Sequence, residues 1–165
     1  MKPLILLVGK SGSGKNYLID TFRLTPLVSY TTRKIRTKEK DGIEHKFVSM
    51  EVWNQLFNNK IFNDIVAAWT KFDNNFYWTT YSDINDENNH VYIIDPKGIN
   101  DLLKAKEKGL IKRELIIVYL HASERTCAER MRIRGDSEKQ IKDRIYHDKK
   151  VFEDVHYDVL LNVDN

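Results

Sequence analysis

The densest chemistry in the sequence lies near its start, where Gly9-Lys10-Ser11-Gly12-Ser13-Gly14-Lys15-Asn16 follows an apolar run and precedes a helical pattern. Strand, glycine loop and helix, in that order, are the context that the G-x-x-x-x-G-K-[ST] phosphate loop requires. Glycines let main-chain N–H groups turn in around phosphate oxygens, the helix N-terminus adds a favourable field, and the lysine reaches the β- and γ-phosphates. Gly9, Ser11, Gly12, Ser13, Gly14 and Lys15 are therefore expected to cradle a nucleoside triphosphate. Lys15 is expected to face solvent until the triphosphate arrives, and then to act as the catalytic charge. Asn16 stands where Ser or Thr normally offers a hydroxyl to Mg²⁺; its amide oxygen can contact the cation directly or through water, so it stays in the expected site. The plain alternative is a glycine-rich turn that binds nothing.

Other chemistries find less support. His90, His121, His147 and His156 have no acids or cysteines at metal-ligand spacing, so no set of strong direct metal ligands is expected. Cys127 has no second cysteine to pair with, which fits a packing role and a reducing, cytoplasmic compartment.

The segment Ser29-Tyr30-Thr31-Thr32-Arg33-Lys34-Ile35-Arg36, followed by Glu39, Asp41-Gly42, Glu44 and Phe47-Val48-Ser49, resembles the acceptor-nucleotide segment of guanylate kinases. Phe76-Tyr77-Trp78-Thr79 is similar to that family's Tyr-Tyr-Gly-Thr/Ser stretch, and Arg134-Gly135-Asp136-Ser137-Glu138 to its mobile lid. Ile141, Arg144 and Tyr157-Asp158-Val159-Leu160 continue the match. The resemblance implies transfer of the ATP γ-phosphate to GMP or dGMP, giving ADP and GDP or dGDP, with Mg²⁺ carried on the nucleotide phosphates. It also implies an acceptor set. Arg33 and Arg36 bring forked donors suited to a monophosphate, Tyr77 a further hydrogen bond, and Ser29, Thr79 and Asp95 match the family's base contacts. A solvated charged loop is the other reading of this basic stretch. In the lid, Arg134 and Arg144 are the expected catalytic cations, with Arg130 a third candidate; pairing with Glu129, Glu138 or Asp143 is the ordinary alternative. In-line transfer requires no Ser or Cys nucleophile.

Departures from the family gather around the acceptor. His45 replaces a phosphate-binding tyrosine, Trp78 a glycine, and Ile93 the first of two aspartates. Counting forward from Phe47-Val48-Ser49 puts Asp64 at the family's guanine-reading glutamate, whereas counting back from Thr79 puts Ala68 there; Asp64 is favoured because a carboxylate accepts from guanine N1–H and the 2-amino group. A changed pocket leaves two other readings open: a kinase of another nucleotide, a modified deoxynucleotide or a phosphorylated sugar, and a non-catalytic module that binds phosphopeptides. The chain also ends soon after Tyr157-Asp158, where the family usually continues into a C-terminal helix.

These residues need a frame. Leu4 to Val8, Val91 to Ile94 and Leu115 to Leu120 are continuous apolar runs of strand length, as expected for a parallel sheet covered on both faces. Helical patterns run from Lys15 to Arg23, Glu51 to Phe57, Pro96 to Lys108, Ser123 to Arg134 and Ser137 to about Phe152; Ser123 and Ser137 serve as N-caps and Gly109 as a stop. Thr31 to Glu44 has no apolar period and reads as extended or loop. The expected fold is therefore an α/β, P-loop NTPase-type parallel sheet flanked by helices, a single domain over 1–165, with an inserted acceptor subregion at 31–81 and a short lid at 121–140.

Composition narrows the partners. The chain has 165 residues, and 27 Lys plus Arg against 24 Asp plus Glu give a net charge of only +3, so a nucleic-acid partner is not indicated. The first apolar run is shorter than the roughly 7–15 residues of a signal h-region or the about 20 of a spanning helix, so no membrane partner is expected. The expected partners are ATP and a nucleoside monophosphate, in a monomer or a homodimer.

Overall fold

The computed structural model describes residues 1–164. Its main sheet is parallel throughout, in the order β6 (Val91–Ile93), β1 (Leu4–Val8), β7 (Leu115–His121) and β8 (Val159–Asn162). Successive side chains of a strand alternate between faces. Leu4, Leu6 and Val8 accordingly pack with Ile99, Leu102 and Ala105 of α5 (Pro96–Glu107), while Ile5 and Leu7 pack with Leu18 and Ile19 of α1 (Lys15–Thr21). Both faces are covered, which is why the strand reads as an unbroken apolar run. The sequence pattern did not mark β8, whose four residues are all exposed.

Helix boundaries follow local chemistry. Helix α1 stops at Thr21, two residues short of the predicted end, and Arg23 turns to a φ of 50°. Ser123 and Ser137 cap α6 (Glu124–Arg134) and α7 (Glu138–Val151), accepting from Thr126 N and Gln140 N. Gly135, at a φ of 98°, ends α6 in the left-handed conformation and lets the chain turn back into α7. Arg113 is fully buried and donates to the carbonyls of Lys2, Pro3, Ile84, Asp86 and Asn89, staking the start of β1 to the loop before β6.

Between α1 and β6 the chain builds a second sheet, in the order β3 (Lys46–Phe47), β2 (Tyr30–Thr31), β5 (Asn75–Thr80) and β4 (Val66–Phe72). Helices α2 (Met50–Phe57), α3 (Phe62–Ile65) and α4 (Tyr81–Asn85) accompany it. The β4–β5 hairpin had no clean alternation to announce it; its turn places Asp73 and Asn74 at φ values of 48° and 58°, as two-residue hairpin turns require. One face carries an aromatic core in which Trp53 is 1% exposed and stacks on Phe76 at 4.5 Å between ring centres.

Trp78 belongs to that core, 2% exposed and stacked on Tyr30. The replacement of the family's glycine therefore lies on the far face from Tyr77 and Thr79. It fills the aromatic core.

Candidate active site

The phosphate loop joins the carboxyl end of β1 to α1, the place where ligands bind in open α/β sheets. Gly12 has a φ of +79°, and a Cβ there would lie 2.5 Å from the Cys127 carbonyl oxygen, so α6 leaves no room for a side chain. Gly14, at +100°, forms the left-handed entry to α1.

Lys15 departs from expectation. Its Nζ does not stand in solvent but donates to the carbonyls of Gly9 at 2.6 Å and Lys10 at 3.0 Å, folded along the loop. Burial lowers its pKa to about 8, against the raising effect of Asp148 and Cys127; Arg134 and Arg144 push the same way as burial. Those two arginines thus face the loop lysine, although they come from α6 and α7. Arg130, the third expected catalytic cation, donates to the carbonyls of Ser13 at 3.0 Å and Gly12 at 3.4 Å and to that of Val163 at 3.3 Å. Its guanidinium is engaged in bracing the loop. Asn16 is exposed on the first turn of α1.

The second sheet collects most of the expected acceptor set on its other face. Register pairs Thr31 with Tyr77, and Ala68 with Thr79, so these residues share that face, with Ser29 and Arg33 flanking Thr31 at alternate positions. His45 reaches across β3, its Nδ1 3.0 Å from Ser29 Oγ and its ring 5.6 Å from that of Tyr77. Burial first, then the Arg33 charge, lowers the His45 pKa, so the imidazole is neutral at pH 7. Arg33 forms a bidentate pair with Glu39 at 2.8 and 2.9 Å and lies over the Phe47 ring. The hydrogen bond from Arg33 holds the Glu39 carboxyl at about 2, and Tyr77 adds to the support of the guanidinium. Glu39 also accepts from the Arg36 N–H at 2.9 Å, which fixes the turn that carries both arginines.

Asp64 and Asp95 lie outside the strands of the second sheet. Asp64 is exposed on α3, ahead of β4, and its charge is felt at Tyr81, whose hydroxyl is raised first by burial, then by Asp101 and Asp64. The position opposite Thr79 is Ala68. The hairpin register thus sets Ala68 beside Thr79 and leaves Asp64 on α3, ahead of the register shift between Val66 and Ala68. Asp95 caps α5 by accepting from Gly98 N at 2.7 Å. Thr79 is fully buried with no hydrogen-bond partner for Oγ1, and Ser13 Oγ in the donor loop is in the same condition. A buried unpaired hydroxyl costs about 1–3 kcal/mol, so both mark positions where a polar ligand atom would be favourable.

Arg134 and Arg144, the cations expected in and after the lid, each have a local partner. Arg134 bonds to Asp136, whose carboxyl is held below its usual range by that bond first, with Arg144 and Arg36 adding through space. The charges of Arg134 and Arg144, from α6 and α7, thus reach both Lys15 and Asp136, and that of Arg36, from the loop after β2, reaches Asp136. Sequence reasoning missed two participants. Phe72, at the hairpin tip, carries the Arg144 guanidinium 4.3 Å above its ring. Asp148 is 4% exposed and accepts from Ser11 N at 2.6 Å. Its signal was an acid four residues after Arg144 on one helix, visible only as one of many charges.

A glycine loop with a lysine folded along it, and arginine forks nearby, are donors suited to phosphate oxygens. Among the described residues no group of three or more His, Cys, Asp or Glu could hold a metal ion, and no helix is long and apolar enough to cross a membrane.

Comparison with known proteins agrees with this geometry. A sequence model of the family described as guanylate kinase matches residues 1–165. A guanylate kinase of Malacoplasma penetrans is 32% identical over 155 residues, spanning 86% of this chain and 74% of that protein. One from Prochlorococcus marinus subsp. pastoris is 29% identical over 153 residues, spanning 87% of this chain and 78% of its own. The crystal structure of guanylate kinase from Anaplasma phagocytophilum superposes with a TM-score of 0.63 at 19% identity, covering 99% of this chain and 78% of that one.

Proposed function

The chain belongs to the guanylate kinase family, and from that premise we infer its reaction: the γ-phosphoryl group of ATP passes to GMP, giving ADP and GDP. The observation that carries the reading is Lys15 folded along a glycine loop at the carboxyl end of β1, its Nζ on the Gly9 and Lys10 carbonyls, with Arg130 bracing the same loop through Gly12 and Ser13.

Phosphoryl transfer asks mainly for positioning and charge stabilisation. In this reading the loop N–H groups and Lys15 hold the donor phosphates, and Lys15 exchanges its two loop carbonyls for phosphate oxygens. Arg33, Arg36, Tyr77 and His45 hold the acceptor phosphate, with Glu39 fixing the Arg33 fork. Arg134 and Arg144 neutralise charge that develops on the transferring group, while Arg130 supports the loop from behind. Ser29 and Thr79 offer hydroxyls to the base, and Asp95, which caps α5 through Oδ1, joins them as a base contact. Mg²⁺ prefers phosphates, water and one or two protein oxygens, a preference that the exposed Asn16 amide fits, and bound there it would supply further neutralisation of the triphosphate. The single buried thiol, Cys127, accords with a cytoplasmic setting.

The test is ADP formation from Mg·ATP across a panel of ribo- and deoxynucleoside monophosphates. Turnover with GMP is expected, dGMP should follow, and no turnover with any acceptor would leave a kinase of a modified deoxynucleotide or phosphorylated sugar, or the phosphopeptide module, as the surviving readings. IMP belongs in the panel because Ala68, opposite Thr79, offers no acceptor for the guanine 2-amino group.

Two further results are expected. Asp64→Ala should leave the GMP-to-AMP affinity ratio, measured by isothermal titration, within about twofold, since exposed substitutions away from a site change little. A collapsed ratio would return Asp64 to the base site. For His45 the sign is fixed by its lowered pKa: it is neutral at pH 7 and gains charge only as pH falls below its ordinary value near 6.5. GMP affinity should therefore tighten toward acid more steeply in the wild type than in His45→Gln, which shares every change in the ligand's own ionisation. Identical slopes would remove His45 from the phosphate.

A further inference from the structure

One face of α7 touches both halves of the site. Arg144, His147 and Asp148 are related by three and four residues, so they line one side of the helix. Arg144 lies over Phe72 at the tip of the β4–β5 hairpin, and the His147 ring stands 5.5 Å from the same phenyl ring. Asp148 turns the other way, its Oδ2 accepting from Ser11 N at 2.6 Å and its Oδ1 3.2 Å from His147 Nδ1. The joint is tight: the gap left among Ser11, Cys127, Ile145 and Asp148 is about 10 Å³. A buried carboxylate placed against a phosphate-binding loop would oppose an incoming anion, so its presence calls for a compensating role. Its charge reaches Lys15 in the loop, and Lys10 and Glu124 share the lining of the same gap.

We propose that Asp148 is a positioning residue that docks α7 onto the phosphate loop through the Ser11 N–H, so that the donor loop and Arg144 are placed as one body. The proposal rests on the kinase reading above. Its physical basis is that a hydrogen bond from a main-chain N–H to a buried carboxylate is short and strong, and that misplacing a catalytic group by about 1 Å can cost roughly 100-fold in rate.

Three substitutions separate position from charge. Asp148→Ala removes the acceptor, Asp148→Asn keeps an oxygen in place without the charge, and Asp148→Glu keeps the charge but displaces it. We expect Ala to lower kcat by roughly 100-fold with the GMP KM within about twofold, Glu to lower it by about tenfold, and Asn to restore it to within about fivefold of wild type. ADP affinity, read by isothermal titration without turnover, should weaken about tenfold in Ala and stay near wild type in Asn. That titration distinguishes failure of the proposal from failure of the kinase reading, since it holds if no acceptor is ever phosphorylated. Should Ala not fold, Glu and Asn carry the same contrast. Wild-type kcat and ADP affinity in Ala or Glu, an Asn variant as impaired as either, or a loss confined to the GMP KM would overturn it.

Discussion

Replacing Lys15 with alanine is expected to lower the rate of ADP formation by roughly 10³-fold, the scale on which removal of a single preorganised charge-stabilising donor acts. The ammonium already lies along the loop, bonded to the Gly9 and Lys10 carbonyls, and needs to move only a short way to meet phosphate oxygens. Stability should change little, because the variant loses two hydrogen bonds and also sheds the cost of a desolvated charge. We expect the melting temperature to move by no more than a few degrees, equivalent to about 1 kcal/mol. Turnover within tenfold of wild type would remove the phosphate loop from the mechanism. A large drop in melting temperature would mean that the lysine is chiefly a structural brace.

The second large effect is expected at Arg33. Substitution by lysine keeps the positive charge but abandons the planar fork that pairs with both oxygens of Glu39 and lies over Phe47. A hydrogen bond to a charged group is worth about 1.5–3 kcal/mol, so the GMP KM should rise by roughly 10- to 100-fold while the ATP KM stays within about twofold. Initial-rate measurements with each substrate varied in turn decide the matter. Equal rises in both KM values would contradict an acceptor role. Glu39→Gln should move the GMP KM in the same direction by a smaller factor, since it loosens Arg33 without removing it.

Both predictions draw on residues legible in the chain, and the reason is local. A phosphate loop is a contiguous main-chain device, so Gly9 through Lys15 announce it by spacing alone; the arginine segment is also contiguous, and Glu39 sits within it. Helix caps at Ser123 and Ser137 are legible for the same reason, because a cap acts within three or four residues. The buried strand β1 reveals itself because both of its faces are covered and every position must be apolar.

What the sequence by itself determined, then, is whatever depends on neighbours along the chain: the glycine loop, the contiguous arginine segment, the parallel sheet and the family. Tertiary structure decided what depends on register and on contacts between distant segments. Which residue lies opposite Thr79 turned on how the β4–β5 hairpin pairs: it is Ala68, two residues past Val66 across a register shift, while Asp64 stays on α3. Trp78 could belong to the pocket or to the aromatic core until the alternation of β5 assigned it a face. Lys15 faces the loop rather than water because the Gly9 and Lys10 carbonyls come within its reach only once the loop has closed. Asp148 meets Ser11 across 137 residues, and a charge on a helix gains that partner only when packing removes both groups from water.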